Sequence, residues 1–462
     1  MDVGISQSWA DHAKAGRSGL ILLDDNREAL LVRILAARSA VRTLDLMYYL
    51  WHDDRVGRLL AKEVVDAADR GVKVRILLDD LNPRSSDAGY LALDAHPNIE
   101  LKLFNPSGMR NGHLLRSIEF AARMLSMTRR MHAKAWICDE RAAIVGGRNI
   151  GDAYFDAADT NFRDLDLLIL GTAATQTRSI FEAYWNSKAA WRIRDLNRAR
   201  PRHPRTAAAS EGELDAVGKT DPISLEEFVA RAGAVHWTEQ ARVIADPPEK
   251  ALGKRRRNWL TKELMPLIRG AERTLNIVSP YFIPGRRGVS ILSELTNRGV
   301  SVSVLTNSLA ATDVAAVHGA YANYRRRLLR RGVRLFEFQL FGHRRDISVF
   351  GSKGASLHTK AFTVDERIGF IGSFNFDPRS VSINSEMGVL FQDRDLVRVL
   401  KKRLEEEKSP QTSYSLDIHN QRLRWRGVTN GNPVEFRSEP EAGFRRRLLA
   451  GLVRYLPIES QL

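Results

Sequence analysis

The sequence contains one cysteine, Cys138, among its 462 residues, which excludes an intramolecular disulfide. Cys138 ends the apolar run 135–138, so we interpret it as a buried small hydrophobic residue rather than a reactive thiol. A chain without disulfides is compatible with a reducing compartment. Hydrophobic residues make up 44% of the chain and charged residues 27%, an ordinary globular composition that needs no metal or disulfide to support a core.

Long apolar runs are also missing, and none approaches the ~18 residues that a membrane-spanning helix requires. The first residues lack the basic and then apolar layout of a signal peptide. We therefore expect a cytoplasmic protein whose contact with the inner membrane is peripheral, while secretion without a classical signal stays open as an alternative.

Acidic residues are in short supply, with 55 Asp and Glu against 71 Lys and Arg, which gives a net charge of +16. A surplus of this size favours a polyanionic partner, such as nucleic acid, an anionic membrane or a phosphate-bearing substrate.

The clearest positive feature is an internal repeat. Residues 42–46 (RTLDL) recur as 273–277 (RTLNI), and 70–77 (RGVKVRIL) recur as 298–305 (RGVSVSVL). His-Ala-Lys at 132–134 recurs as His-Thr-Lys at 358–360, in the same order along the chain. The sequence therefore predicts a tandem duplication.

Each copy shows the same alternation of helices and strands. Helices are predicted at 26–40 and 56–69, and again at 259–270 and 289–297; strands are predicted at 43–49, 72–78, 274–279 and 300–305. This alternation indicates an α/β fold with a largely parallel sheet. We predict an N-terminal lobe at 1–196, an exposed Pro/Ala/Ser-rich basic linker at 197–222 and a C-terminal lobe at 223–462.

Both copies carry the pattern H-x-K-x4-D-x6-G-[GS]-x-N. Its members are His132, Lys134, Asp139 and Asn149 within 127–154, and His358, Lys360, Asp365, Ser373 and Asn375 within 353–380. A His and a Lys two residues apart on a strand point to the same face. We expect the small-residue turn after the next strand to bring the asparagine back beside them.

These residue types suit the cleavage of a phosphodiester. Lysine and asparagine can hold the non-bridging oxygens and stabilise the charge that develops at phosphorus. One neutral histidine can attack phosphorus and form a phosphohistidine. The other, protonated, can donate to the leaving alcohol and then deprotonate the incoming one. The scheme requires two motif copies and no metal or cofactor.

Acidic residues follow each motif at matching places. A carboxylate bonded to one ring nitrogen would fix the tautomer of a catalytic histidine. We assign Glu386 and Asp164 to this role. Asp139 and Asp365 lie at a turn between two strands, and we interpret them as mainly structural.

The duplicated motif resembles the signature of the phospholipase D superfamily. The segments 45–51, 68–80, 146–155, 305–313 and 456–459 are similar, within it, to the bacterial cardiolipin synthase branch of the C type, which lacks transmembrane helices. The similarity runs from about residue 18 to the C-terminus. One departure is Ala133, where the C-type enzymes usually have asparagine between His and Lys.

The resemblance implies two α-β-α sandwich lobes with pseudo-twofold symmetry inside one chain and one active site between them. It also implies transfer of a phosphatidyl group between phospholipids to give cardiolipin. Phosphatidylglycerol is the expected substrate, and phosphatidylethanolamine is a further candidate. By analogy His132 would be the nucleophile and His358 the acid; the motif alone does not order them.

Three basic segments predict docking on an anionic membrane surface: 254–257, 325–331 and the amphipathic 444–456. Two other functions stay open. A hydrolytic phospholipase D would use the same residues with water as acceptor. A nuclease would need ordered base-stacking aromatics, which the sequence lacks, so nucleic acid is the less favoured partner.

Overall fold

The computed structural model describes residues 9, 11–80, 87–106, 129–196, 223–231, 235–253, 259–340 and 354–453. The chain forms two compact units: Met1–Phe155, Asp166–Trp259 and Ile383–Val389 make the first, and Asp156–Leu165, Leu260–Ser382 and Leu390–Leu462 make the second. Each unit thus includes a short segment from the other half of the sequence. The predicted linker 197–222 lies outside the described residues, so its structure and the lobe boundaries remain predictions.

The first half of the chain contains β1 (Ser18–Leu23), α1 (Asn26–Ser39), β2 (Thr43–Tyr48), α2 (Arg55–Asp69), β3 (Lys73–Asp79), α3 (Asp87–Asp94), β4 (Ile99–Phe104), β5 (Ala135–Cys138), β6 (Ala142–Gly146), β7 (Thr160–Arg163), β8 (Asp166–Gly171), α4 (Thr172–Trp185), β9 (Ala190–Arg192), α5 (Ile193–Leu196), α6 (Leu225–Arg231), β10 (His236–Thr238) and β11 (Ala241–Ala245).

The second half contains α7 (Leu260–Arg269), β12 (Thr274–Val278), α8 (Gly285–Asn297), β13 (Ser301–Asn307), α9 (Ala315–Ala322), α10 (Arg325–Arg330), β14 (Arg334–Phe338), β15 (Gly354–Leu357), β16 (Ala361–Val364), β17 (Ile368–Gly372), α11 (Pro378–Ser382), β18 (Met387–Phe391), α12 (Arg394–Glu406), β19 (Ser413–His419), β20 (Arg422–Thr429), β21 (Asn432–Phe436) and α13 (Phe444–Val453). No helix in the described ranges is both long and apolar enough to cross a membrane.

The predicted repeat is visible in the strand order. In the first sheet the strands β8-β6-β5-β2-β3-β4 are consecutive neighbours, and the second sheet repeats this order as β18-β17-β16-β12-β13-β14. The helix α1 begins after Asp25, whose carboxylate accepts two backbone N–H groups, and α2 begins after Asp54 in a similar way. The predicted α/β class is confirmed.

The expectation of a largely parallel sheet is wrong. In the first sheet only the pairs β2–β3 and β3–β4 are parallel, while β5 pairs antiparallel with both β2 and β6. The β5–β6 pair has a local cause: Asp139 and Glu140 both have positive φ, 50° and 61°, and Arg141 N–H donates to Cys138 O. These are features of the two-residue turn that joins antiparallel strands, so β5 and β6 form a hairpin.

The same turn recurs at Asp365 and Glu366, and in both copies the aspartate anchors a neighbouring strand. Asp365 accepts the backbone N–H groups of Glu272, Arg273 and Thr274 at 2.9, 2.7 and 2.8 Å. Asp139 accepts three equivalent N–H groups, at residues 41–43. Burial alone would raise the pKa of Asp365, but the three donors outweigh it and hold the pKa below its usual value. The two carboxylates therefore fix the backbone where β2 and β12 begin.

We therefore expect Asp365→Ala to lower the free energy of unfolding by about 1–3 kcal/mol near pH 7, because three N–H groups lose their acceptor. The lowered pKa means that the native contact stabilises the fold above about pH 4 and is lost as the pH falls further. Urea unfolding of wild type and variant at several pH values should show a difference that shrinks in acid. Asp395→Ala, which removes an exposed ion pair with Arg398, is the matched control; an equal effect of both variants at pH 7 would contradict the prediction.

Candidate active site

The two His-Lys pairs lie directly before strands rather than inside them. His132 and Lys134 precede β5, and His358 and Lys360 connect β15 to β16. Both histidines are largely buried, each with 8% of its surface exposed. Because these residues are outside the main sheets, their backbone groups pair elsewhere, and that pairing determines what each histidine contacts.

In the second unit, the short strands β15 and β7 run parallel, with Leu357 opposite Arg163. His358 N–H then donates to Arg163 O at 2.8 Å. Since parallel strands continue in the same direction, the next residues along each, His358 and Asp164, lie side by side. His358 Nδ1 is 2.5 Å from Asp164 Oδ2.

The first unit repeats this arrangement with a single parallel bridge between Met131 and Ser385. His132 N–H donates to Ser385 O at 2.9 Å, and His132 Nδ1 lies 2.8 Å from Glu386 Oε2. Ser385 and Glu386 belong to the segment Ile383–Val389, which the first unit takes from the second half of the chain. Each histidine therefore pairs with a carboxylate from the opposite sequence repeat.

The carboxylates determine the tautomer of each ring. A carboxylate only accepts, so Nδ1 of His132 and of His358 carries the proton. In the neutral ring the lone pair is then on Nε2. Asp164 and Glu386 are buried, with 2% and 0% of their surface exposed, so each ring N–H meets a group that water does not compete for.

The lysines stay close to the histidines that they accompany. Lys134 Nζ donates to His132 O at 2.7 Å and lies 5.1 Å from the centre of the Tyr49 ring. Lys360 Nζ donates to His358 O and lies 3.0 Å from His358 Nδ1. Both lysines are buried, so each places an ammonium charge beside an imidazole in a region of low dielectric constant.

The asparagines of the motif are also buried. Asn149 accepts Leu50 N–H at 3.3 Å and donates to the hydroxyl of Tyr154 at 2.8 Å. The side-chain oxygen of Asn375 has no hydrogen-bond partner in the described part of the chain. Ser373, at the preceding small-residue turn, is fully buried. The roles of these residues remain predictions.

A second set of residues, not anticipated from the sequence, holds Glu386. Asp246 Oδ2 accepts Glu386 N–H at 3.0 Å, and Asp246 N–H donates to Glu386 O at 2.8 Å. Lys250 Nζ, also buried, donates to Asp246 Oδ2 at 2.7 Å, and the Tyr184 hydroxyl donates to Asp246 O at 2.7 Å. Burial raises the pKa of Tyr184 well above its usual value, so the hydroxyl stays protonated. The only sequence signal was an aspartate that directly follows an apolar strand.

Aromatic rings contact both histidines and were likewise missed. The Tyr49 ring lies edge-on to His132 with centroids 5.0 Å apart, and the Phe162 ring lies 4.9 Å from His358. Tyr49 directly follows β2, so its place at a strand end could have suggested a role. Phe162 is in β7, whose pairing with β15 the sequence did not predict.

One further group of buried titratable residues has the spacing of metal ligands. His318, Glu337 and Glu439 place three potential ligand atoms within 4.8 Å of one another. The guanidinium of Arg325 already lies among them and donates to both glutamates. A fixed cation thus balances their charge. Arg325 is buried, so it cannot take part in the membrane docking predicted for the basic segment 325–331.

Comparison with known proteins identifies the family of the chain. The family model "Cardiolipin synthase, PLD-like domain" matches residues 33–185 and 264–408. Cardiolipin synthase C of Escherichia coli is 35% identical over 96% of both chains, and an uncharacterized protein of Helicobacter pylori is 34% identical over 95% of this chain and 89% of its own.

Among solved structures, the phosphatidylserine synthase of Haemophilus influenzae superposes with a TM-score of 0.64 over 99% of this chain and 100% of its own, at 14% identity. At that identity the match concerns the fold alone. The two matched segments of the family model each contain one His-Lys motif. The chain belongs to the phospholipase D-like family of cardiolipin synthases, and it is an enzyme of the phospholipase D type.

Proposed function

We propose that the protein transfers a phosphatidyl group from one phospholipid to the headgroup alcohol of another, and that the product is cardiolipin. The observation that carries this proposal is the pair of equivalent His–carboxylate contacts, each accompanied by a buried lysine, in a chain of the cardiolipin synthase family. We propose phosphatidylglycerol as the acceptor, with phosphatidylglycerol or phosphatidylethanolamine as donor.

In the proposed first step, Nε2 of His132 attacks phosphorus. A P–N bond forms, the P–O bond to the donor headgroup breaks, and protonated His358 gives its proton to the leaving oxygen. In the second step the acceptor hydroxyl attacks phosphorus, His358 takes its proton, and the P–N bond breaks. The carboxylates hold Nδ1–H of both rings, which leaves Nε2 for these transfers.

The remaining motif residues would act on charge rather than on bonds. A phosphodiester is anionic, and its transition state places more negative charge on the non-bridging oxygens. We propose that the ammonium groups of Lys134 and Lys360 and the amides of Asn149 and Asn375 bind these oxygens. In a buried setting such donors are worth far more than in water.

The decisive experiment is incubation of the full chain with phosphatidylglycerol, with phosphatidylethanolamine added, and separately with an oligonucleotide, with products identified by mass. We expect cardiolipin. Phosphatidic acid as the sole product would show that water is the acceptor, and a shortened oligonucleotide would identify a nuclease. His132→Ala and His358→Ala should each lower turnover by about 10³-fold or more, whereas His419→Ala, at an exposed strand end, should not.

The order of the histidines can be tested with a phosphodiester whose leaving group is p-nitrophenol, which departs without a general acid. We expect His358→Ala still to release one equivalent of p-nitrophenol and to accumulate a covalent adduct on His132, because the second step lacks its base. His132→Ala should form no adduct. An adduct on His358 in the His132→Ala variant would reverse the assignment.

We further propose that α13 contacts an anionic bilayer. Its outward face carries Phe444, Leu448, Leu449 and Leu452, which are 79%, 52%, 49% and 58% exposed, flanked by exposed arginines at 445 and 447. A surface helix normally turns its apolar face inward. Apolar side chains among cationic ones suit the boundary between anionic headgroups and acyl chains.

The inner face of α13 is built for close attachment instead. Arg446 donates to the carbonyl groups of Leu309, Ala310 and Thr312, at 2.9, 2.9 and 2.8 Å. A Cβ on Gly319 of α9 would lie 2.5 Å from Ala450 O, so glycine there lets the two helices approach. The helix is thus fixed with its apolar face outward. The predicted segment 254–257 lies outside the described residues.

We expect Leu448→Ser/Leu452→Ser to lower binding to phosphatidylglycerol-containing vesicles at least about tenfold, because two leucines lose their burial in the bilayer. Val399→Ser, which changes an exposed residue of α12, is the matched control and should bind normally. Sedimentation with anionic and with phosphatidylcholine vesicles is the measurement. Unchanged binding by the double variant would exclude this surface, and loss of a wild-type dimer in the variant would assign it to a second copy of the chain.

A further inference from the structure

We propose that Asp79 and Asn307 are equivalent positioning residues, each of which holds the backbone directly before one of the two histidines. The inference rests on the proposed function, since it concerns the placement of the histidines that carry it. The side chains of Asp79 and Asn307 bond to the backbone directly before His132 and His358. Each acts through the residue that precedes the histidine, Met131 or Leu357.

In the first unit, Asp79 is the last residue of β3 and is 1% exposed. Its Oδ2 accepts Met131 N–H at 2.8 Å, and its Oδ1 lies 3.2 Å from a guanidinium nitrogen of Arg130. Met131 is the residue that forms the parallel bridge with Ser385. The Asp79 carboxylate therefore fixes the backbone of Met131. Met131 directly precedes His132 and pairs with Ser385, the residue before Glu386.

In the second unit, Asn307 is the last residue of β13 and is also 1% exposed. Its Oδ1 accepts Leu357 N–H at 3.0 Å, and its Nδ2 donates to Leu357 O at 2.8 Å. The amide thus pairs with both polar backbone groups of Leu357, as a neighbouring strand would. Leu357 is the last residue of β15, and His358 follows it.

The two contacts occupy the same place in the two repeats. β3 and β13 are the central strands of the three parallel strands in their sheets, and both follow an Arg-Gly-Val sequence. The residue type differs, but a side-chain oxygen accepts the N–H before the histidine in both copies. Two halves of one chain that have diverged at this position have kept the contact and not the charge.

Burial supports the view that the oxygen matters more than the charge. It raises the pKa of Asp79 to about 7, against the opposing effects of Arg130 and the Met131 N–H, while Asp80 adds to the increase. A neutral carboxyl group and a neutral amide both offer an oxygen to a backbone N–H. Without that oxygen Met131 or Leu357 would keep a buried N–H unsatisfied, and the adjoining backbone would move to find another acceptor.

A small displacement at this point has a large effect on rate. Reacting atoms must approach within about 3–3.5 Å, and a misplacement of about 1 Å can cost about 10²-fold. Met131 and Leu357 are each one residue from a histidine, so a shift of their backbone moves the ring directly. Loss of either contact is therefore expected to reduce kcat more than it changes KM.

The test compares Asp79→Ala with Asp79→Asn in the full chain. Asp79→Ala should lower kcat about 10- to 100-fold with KM within about threefold of wild type. Asp79→Asn should recover most of the activity, because its amide oxygen can accept Met131 N–H as that of Asn307 accepts Leu357 N–H. A kcat for Asp79→Ala equal to that of wild type, or an Asp79→Asn as impaired as Asp79→Ala, would overturn the proposal.

Asn307→Ala and Asn307→Asp extend the test to the other copy. Both should lose activity: alanine removes both hydrogen bonds, and aspartate places an oxygen against Leu357 O where the amide donated. Asn276→Ala is the matched control, because Asn276 is buried in the same sheet and contacts Ser303, Thr363 and Lys408 instead. It should lower the unfolding midpoint as much as Asn307→Ala does but keep its kcat; an equal loss of kcat would reduce the effect to general stability and overturn the proposal.

The wild-type protein in the same assay separates this proposal from the proposed function. Rates are measured both as cardiolipin formed and as p-nitrophenol released from the activated phosphodiester. A wild type that cleaves the activated ester without forming cardiolipin would refute the proposed product, while the ratios of variant to wild-type kcat would still test the positioning role. Should Asp79→Ala fail to fold, the soluble pair Asp79→Asn and Asn307→Asp carries the comparison: the first is expected to be active and the second impaired, and the reverse order would overturn the proposal.

Discussion

The placement of both histidines depends on one backbone interaction that occurs twice, the parallel pairing of the residue before each histidine with the residue before its carboxylate. Met131 pairs with Ser385, and Leu357 pairs with Arg163. Parallel pairing advances both chains in the same direction, so the following histidine and acid meet without further adjustment. The buried carboxylate then has a partner for its charge, whose isolation from water would otherwise be costly.

Because of this pairing, each sequence repeat depends on a carboxylate from the other repeat. Glu386 comes from the second half of the sequence and packs with the first unit, while Asp164 comes from the first half and packs with the second. A single repeat contains a histidine and a lysine but lacks the acid that orients its own ring. The exchange of segments therefore makes each copy depend on the other for the tautomer of its histidine, independently of how the substrate is bound.

The local part of this arrangement could be predicted from the sequence, and the long-range part could not. Apolar runs, the Arg-Gly-Val turns and the spacing within the His-Lys motif are patterns that extend over a few residues. The predicted helices and strands agree with the observed ones to within a few residues. The largest difference is at α8, which begins at Gly285 and was predicted to begin at 289. The acids Glu386 and Asp164 were predicted from their places after each motif. The contact between His132 and Glu386 joins residues 254 positions apart, so no local pattern specifies which histidine each acid contacts. The wrong prediction of a largely parallel sheet has a different origin. The turns at Asp139 and Asp365 were recognised in the sequence, but the reversal of strand direction that they cause was not.

Comparison of the two copies separates what the fold tolerates from what the histidines require. Between β2 and β3 the first unit pairs Asp45 with Arg75. The second unit fills the equivalent place with Asn276 and Ser303, to which Lys408 donates. These groups differ in type between the two copies, so the fold accepts either solution provided that each buried polar atom is satisfied. Next to the histidines the residue types also differ, but the contacts are the same in both copies. Each copy has a side-chain oxygen that accepts the N–H before the histidine, a parallel backbone pairing and a bond from Nδ1 to a carboxylate. That contrast is what a constraint on ring position, rather than on stability alone, would produce.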